Sequence, residues 1–159
     1  MKASFAVTPV AYVKNERSGM TDDYWGSITS EIIITDDLPD ECLDGIDSFS
    51  HLEIIFIFDK ADQGKTLYGA GHSRGNTAWP KVGVFAQRKK DRPNHIGITT
   101  VKLISRKGRT LVVQGLDADN GTPVIDIKPV VKEFLPREET TQPAWMTELM
   151  QNYWKSPNP

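Results

Sequence analysis

Between Arg88 and His95 the chain reads Arg88-Lys89-Lys90-Asp91-Arg92-Pro93-Asn94-His95, a basic turn entered from Val82-Gly83-Val84-Phe85 and left through Ile96-Gly97-Ile98. Pro93 fixes its own φ and drives Arg92 towards extended geometry, while Asn94 tolerates unusual turn dihedrals, so the turn should hold its polar side chains in one arrangement. Rigid polar loops between apolar strands are where chemistry usually sits. Composition alone leaves a second reading open, an ordinary basic hairpin that keeps the protein soluble. A metal centre is not expected, because His51, His72, His95 and Cys42 show no ligand spacing.

Three ordered blocks give the turn a context. Gly83-Val84-Phe85-Ala86 with Arg88 and Arg92-Pro93-Asn94-x-Ile96-Gly97 is one. Phe49-Ser50-His51-Leu52 running into Ile54–Phe58 is the second, and Gly115-Leu116-Asp117 with Gly121-Thr122-Pro123-Val124-Ile125-Asp126-Ile127-Lys128-Pro129 is the third. Together they span most of residues 5–135 and resemble the TsaA-like family, also called TrmO, YaeB or VirR; three blocks in order are far more specific than any one motif. The resemblance implies a small β-barrel that binds S-adenosylmethionine and, in characterised relatives, methylates N6 of threonylcarbamoyladenosine beside the tRNA anticodon.

Methyl transfer from a sulfonium is an in-line displacement on an activated carbon, so the protein mainly positions donor and acceptor and matches charge. A donor site needs acceptors for ribose hydroxyls, a cationic partner for the methionine carboxylate and apolar or aromatic walls for adenine. By position in the family's blocks, the resemblance assigns cofactor binding to Asp23, Tyr24 and Trp25, to Asp59 and Lys60, to Arg88 and Ile98, and to Ala118, Asp119, Asn120 and Gly121. On the acceptor side stand Arg92, Asn94 and His95. Asn94 would accept a hydrogen bond from an exocyclic nitrogen, and Arg92 would grip a phosphate or carboxylate. His95 replaces a second proline of the better-known family pattern, and either adds a general base or substitutes one turn residue for another. Gln87 and Lys89 also depart from the small hydroxyl residues often flanking the signature arginine. The extra C-terminal domain of the longer bacterial relatives has no counterpart in these 159 residues.

The elements that must hold these residues are short strands. Phe5–Val13 reads as a first strand, with Pro9 keeping it at an edge or bulge. Ile28–Thr35 reads as a second, Leu52–Phe58 as the most central, and Ile96–Ile104 with Thr110–Gly115 as a hairpin turned at Arg106–Arg109. Val124–Ile127 adds one more. Lys14–Gly26 reads as a long polar loop carrying Tyr24 and Trp25, which either meet a ligand or cap the core. Ala61–Lys81, with four glycines and no periodicity, reads as a mobile loop. Its Gly69-Ala70-Gly71-His72-Ser73-Arg74 lacks the third glycine and the strand–helix context of a dinucleotide fingerprint. Spaced strands without βαβ alternation predict an all-β fold, a small closed or partly open barrel over residues 1–135. Residues 136–159 read as a linker and an amphipathic helix from Pro143 to Tyr153. Trp145, Leu149 and Tyr153 share one stripe, with Met146, Met150 and Trp154 beside it, a face that packs on the barrel or on another subunit.

Bulk composition fits a single soluble domain, with 25% charged and 38% apolar residues and no apolar run near the roughly 20 residues of a membrane helix. Met1-Lys2-Ala3-Ser4-Phe5 has no signal-peptide core, and the lone Cys42 can form no internal disulfide, so a cytoplasmic setting is expected. The net charge of −2 hides an asymmetry. Acidic residues dominate positions 1–64, whereas Arg88, Lys89, Lys90, Arg92, Lys102, Arg106, Lys107 and Arg109 face the single acid Asp91. That concentration predicts either a phosphate-seeking patch or a solvated strand pair. The expected partners are tRNA or a modified nucleoside, and a second copy of the chain. A methyltransferase for a small metabolite, and a binding module without catalysis, are the two competing functions.

Overall fold

A computed structural model describes residues 2–19 and 21–157. Met1, Met20, Asn158 and Pro159, which belong to the N-terminus, polar loop and tail read above, lie outside the described residues. Six antiparallel strands close into a barrel in the order β1 (Ala11–Lys14), β2 (Thr29–Ile34), β7 (Thr110–Gln114), β6 (Ile96–Lys107), β3 (His51–Ile57) and β8 (Pro123–Pro129), with β8 returning to β1. Two short strands, β4 (Ala70–His72) and β5 (Lys81–Gly83), form a separate ribbon.

Strict alternation fills the barrel. Leu52, Ile54 and Phe56 of β3, Leu111 and Val113 of β7, Ile32 and Ile34 of β2 and Ala11 and Val13 of β1 are buried, and the residues between them face outward. Closure removes free strand edges, which is how a small all-β chain hides its backbone donors and acceptors. Opposite Phe56 on β6 stands Gly97. A Cβ there would lie 2.5 Å from the Phe56 ring, so this glycine is the space the phenyl occupies. Phe58 then meets Phe56 edge-on at 5.1 Å.

The first strand starts later than its composition suggests. Residues 3–9 form no strand and Phe5 and Val7 are exposed, because β1 has partners only where β2 and β8 flank it, from Ala11 onward. The segment 61–81, read as a loop without periodicity, contains two three-residue 3-10 turns and β4, which pairs with β5. The C-terminal helix, α1 (Ala144–Met150), is shorter than the sequence pattern, ending in turns rather than reaching Tyr153. No described helix is long and apolar enough to cross a membrane.

Antiparallel order sorts the connections between two rims. Loops β1–β2 (residues 15–28), β3–β6 (58–95) and β7–β8 (115–122) open on one rim. Loop β2–β3 (35–50), the β6–β7 turn and the exit from β8 lie on the other.

Candidate functional site

Every residue singled out in the sequence as a cofactor or acceptor ligand lies on or beside the first rim. The signature segment folds as two 3-10 turns, Val84–Ala86 and Pro93–His95. Asn94 and His95 adopt consecutive left-handed dihedrals (φ 65° and 51°), a conformation that costs an ordinary L-residue about 1–2 kcal/mol and that asparagine bears best. Tertiary contacts hold it there. The His95 N–H donates to the Arg92 carbonyl (3.1 Å), the His95 carbonyl accepts from the Phe58 N–H (2.8 Å), and His95 Nε2 lies 2.9 Å from Thr66 Oγ1. The imidazole is thereby tied to the 63–65 turn, while Asn94 at the tip is exposed.

Gln87, a departure from the family pattern, is buried. Its amide donates to the Gly71 and Val82 carbonyls (3.1 and 2.9 Å) and accepts from Ser73 Oγ (3.1 Å), locking the signature segment onto the β4–β5 ribbon. Arg92 Nη1 donates to the Gln87 carbonyl at 2.8 Å, so part of this guanidinium orders the turn and the remainder of the fork is available to an anion. Arg88 is exposed and donates to the Ile98 carbonyl (2.9 Å), which fixes it to the start of β6 with donors to spare.

The aromatic loop and the acidic turn meet through Arg17. Its guanidinium donates to the carbonyls of Tyr24 (3.1 Å) and Asp23 (3.0 Å) and stacks 4.1 Å above the Trp25 ring. Its backbone carbonyl accepts from the Asn120 N–H (2.9 Å). Lys60 Nζ reaches the Asn120 carbonyl at 2.8 Å, and Asn15 binds the Asn120 side chain and the Ala118 carbonyl. Gly121 takes a positive φ of 87° while donating to the Val13 carbonyl (2.7 Å), which brings the turn over the end of β1. Asp59 is exposed beside Lys60. Trp25 departs from the reading of an open ligand wall: it is 4% exposed, buried under Arg17, and belongs to the packing of the rim. Tyr24 is half-buried and Ile98 is exposed, and these two offer the apolar surface.

Five residues that sequence reasoning left out complete the rim. Arg17 is one. Arg74 donates both terminal nitrogens to Asp23 (2.9 and 3.2 Å), a fork pairing that ties the 61–81 segment to the aromatic loop. Partial burial opposes the Arg74 charge, but Asp23 and Asp22 outweigh it and raise its pKa. Asp117 accepts hydrogen bonds from Thr99 and from Tyr153. Burial foremost, then the charge and hydrogen bond of Asp117, push the Tyr153 phenol far above its usual range, against the opposing pull of Arg88 and Arg74. The only sequence signals for these residues were the glycines around Arg74, the turn acceptors around Asp117 and the aromatic stripe of the tail.

The basic concentration is divided by the fold. Arg106 and Arg109 sit at the far rim, beside the acidic β2–β3 loop. Arg109 pairs with Asp40 and donates to the Thr35 and Leu38 carbonyls, and Arg106 pairs with Asp44 (3.6 Å) and donates to the Leu43 carbonyl (3.0 Å). What remains at the site rim is Arg88, Lys89 and Arg92, with Lys90 engaged by Asp91 at 2.9 Å. Among the described residues no three His, Cys, Asp or Glu gather as metal ligands would.

The tRNA (adenine(37)-N6)-methyltransferase of Homo sapiens is 37% identical over 120 residues, covering 76% of this chain and 26% of that protein. A probable S-adenosyl-L-methionine-binding protein of Pyrococcus abyssi is 42% identical over 99 residues, covering 62% of this chain and 50% of its own length. The chain thus spans between a quarter and a half of these two curated relatives. The crystal structure of TrmO from Pseudomonas aeruginosa superposes with a TM-score of 0.73 at 24% identity, covering 91% of this chain and 63% of that one, and shares the fold. The family model of the tRNA-methyltransferase O N-terminal domain matches residues 12–134, from β1 to just past β8, and the chain belongs to that family.

Proposed function

We propose that this chain is an S-adenosylmethionine-dependent methyltransferase domain acting on N6 of a modified adenosine of the threonylcarbamoyladenosine-37 type in tRNA. One observation carries the reading: aromatic loop, β3 exit, signature turn, β6 start and acidic turn come from five separate stretches and converge on one rim. The residues present fit the cofactor. Arg88 has guanidinium donors for a carboxylate, Tyr24 and Ile98 give apolar surface, and Asp117, Asp119 and Asn120 bring acceptors for hydroxyls. When bound, S-adenosylmethionine supplies a methyl group already activated by its sulfonium. The chain's own work is to position and to exclude. Arg92 holds the anionic part of the acceptor, and Asn94 accepts from the exocyclic N–H and aims the nitrogen, whose proton passes to solvent as the new N–C bond forms. His95 maintains the turn through Thr66 and Phe58. No metal takes part in this reading.

The same reading assigns residues 1–135 to the catalytic barrel and 136–159 to a linker and helical arm. It places the protein in the cytoplasm, with no membrane partner, and as a homodimer. Exposed Tyr68 and Phe85 flank the Val84 N–H to Gly69 carbonyl bond (2.9 Å), beside a site rim that also exposes Ile96 and Ile98, and a second copy would cover this surface. Light scattering at twice 17.8 kDa, reverting to one chain in Phe85→Asp, checks the dimer.

Isothermal calorimetry with S-adenosylmethionine, with and without bulk tRNA, followed by transfer of labelled methyl, tests the activity. Arg88→Ala is expected to weaken cofactor binding roughly tenfold or more, the scale of one hydrogen bond to a charged group. Unchanged affinity removes Arg88 from the site. With Arg88 given to the cofactor, Lys89 and Arg92 are left for phosphates, and log K for tRNA should fall against log [salt] with a slope of about −1.5 to −2. Arg106→Ala, at the far rim, should leave that slope alone. A flat salt profile with transfer to a small molecule favours the metabolite enzyme, and binding without transfer to any pool favours the non-catalytic module.

A further inference from the structure

The family match stops at Phe134, yet the chain beyond it returns to the candidate site. It leaves β8 at the far rim, forms α1, and comes back to the aromatic loop, where the Tyr24 N–H donates to the Asn152 carbonyl (3.2 Å) and the Trp25 N–H to the Tyr153 carbonyl (2.8 Å). Gly26 shows that the barrel sequence is shaped for this contact. It has no positive φ to explain a glycine, but a Cβ there would lie 1.8 Å from the Trp154 carbonyl oxygen. The glycine is the gap the arm fills.

The arm ends on a carboxylate. Asp117, half-buried between the acidic turn and β6, accepts from the buried Thr99 hydroxyl on one oxygen and from the Tyr153 hydroxyl on the other. An ionised carboxylate has about four lone-pair positions, so two hydroxyl donors fix its plane and leave roughly two acceptor positions for a ligand. Tyr153 is suited to this: its phenol stays a neutral donor, because burial and Asp117 both oppose its ionisation. Arg88, which the proposed function gives to the cofactor, and Arg74, which is paired with Asp23, both act electrostatically on the same phenol, so the arm's tip lies on this rim.

We propose that residues 144–155 close the cofactor end of the barrel in cis, and that Tyr153 is a positioning residue orienting Asp117 towards the hydroxyl- or ammonium-bearing part of the cofactor. The proposal rests on the reading that this rim binds S-adenosylmethionine. Holding a carboxylate in one orientation before binding spares the ligand that ordering cost.

Calorimetry with S-adenosylmethionine on the full chain, as wild type, Tyr153→Phe, Asp117→Asn and the double variant, tests it. Tyr153→Phe should bind roughly tenfold more weakly with circular dichroism unchanged and a melting temperature lower by only a few degrees, the scale of one lost hydrogen bond, and the double variant should be no weaker than Asp117→Asn alone. A purely structural tyrosine would lower the melting temperature without moving the affinity, or give affinity losses that multiply. In turnover, Tyr153→Phe should act through KM for the cofactor rather than kcat. Gly26→Ala, which alters no polar group and displaces the arm, should reproduce the loss of affinity. Wild-type affinity in Tyr153→Phe, or tighter binding in either variant, overturns the proposal, the latter because the arm would then obstruct the site. Failure of the wild type itself to bind overturns the underlying reading, and this proposal with it.

Discussion

Phe56→Ala is expected to destabilise the protein by about 3–5 kcal/mol, the scale of a phenyl deleted from a packed core. Phe56 is 1% exposed, and its partner across β6 is Gly97, which has no side chain to move into the space left behind. On the β6 side the ladder runs without interruption past Phe56, which limits how far the barrel wall can close into the gap. At this chain length the loss corresponds to a fall in Tm of roughly 10 °C or more. Gly97→Ala alone should also destabilise, by about 1–3 kcal/mol, since its Cβ would press on the ring at 2.5 Å. The two changes together should cost less than their sum. Urea melts of the three variants check this, and strict additivity would mean that Phe56 and Gly97 do not share one space.

Asn94→Gly is expected to cut methyl transfer about a hundredfold, the scale of one hydrogen bond that matters most in the transition state. Glycine is the informative replacement. With φ 65° and ψ −7°, Asn94 sits where alanine would add strain and glycine adds none, so only the amide is removed. Melting temperature and cofactor affinity should hold while kcat falls. His95→Gly should show the opposite balance, losing stability with the Thr66 contact at 2.9 Å and losing less turnover. Single-turnover transfer to tRNA decides between them. Equal turnover losses in the two variants would return His95 to the chemistry.

Local pattern was enough for much of this molecule. Apolar runs bounded by turn residues marked the strands at Leu52–Phe58 and Thr110–Gly115, because such runs suit an extended, buried chain, while the alternation of inward and outward faces appeared only in the structure. Pro93 announced a turn that the fold contains, since a fixed φ acts wherever it stands. The run Ile32-Ile33-Ile34 shows where pattern fails: all three are equally apolar, yet Ile33 faces out at 39% exposure, because a strand in a closed barrel has one inner face. Trp25 was ambiguous for a related reason. Whether an aromatic in a loop meets a ligand or a neighbour depends on Arg17 arriving above it.

The sequence by itself determined the fold class, the family and the signature turn, because short-range dihedral preference, bounded apolar runs and ordered motifs are written in consecutive residues. Tertiary structure alone decided which charges and acceptors share a place. It sent Arg106 and Arg109 to the far rim, against Asp40 and Asp44, and left Arg88 and Arg92 at the near one. It also carried Tyr153 to Asp117, 36 positions away in the chain, and set Arg74 on Asp23, 51 away. Barrel closure joins strands distant in sequence, so the partners of a rim residue are fixed by register and loop length, which no local stretch encodes.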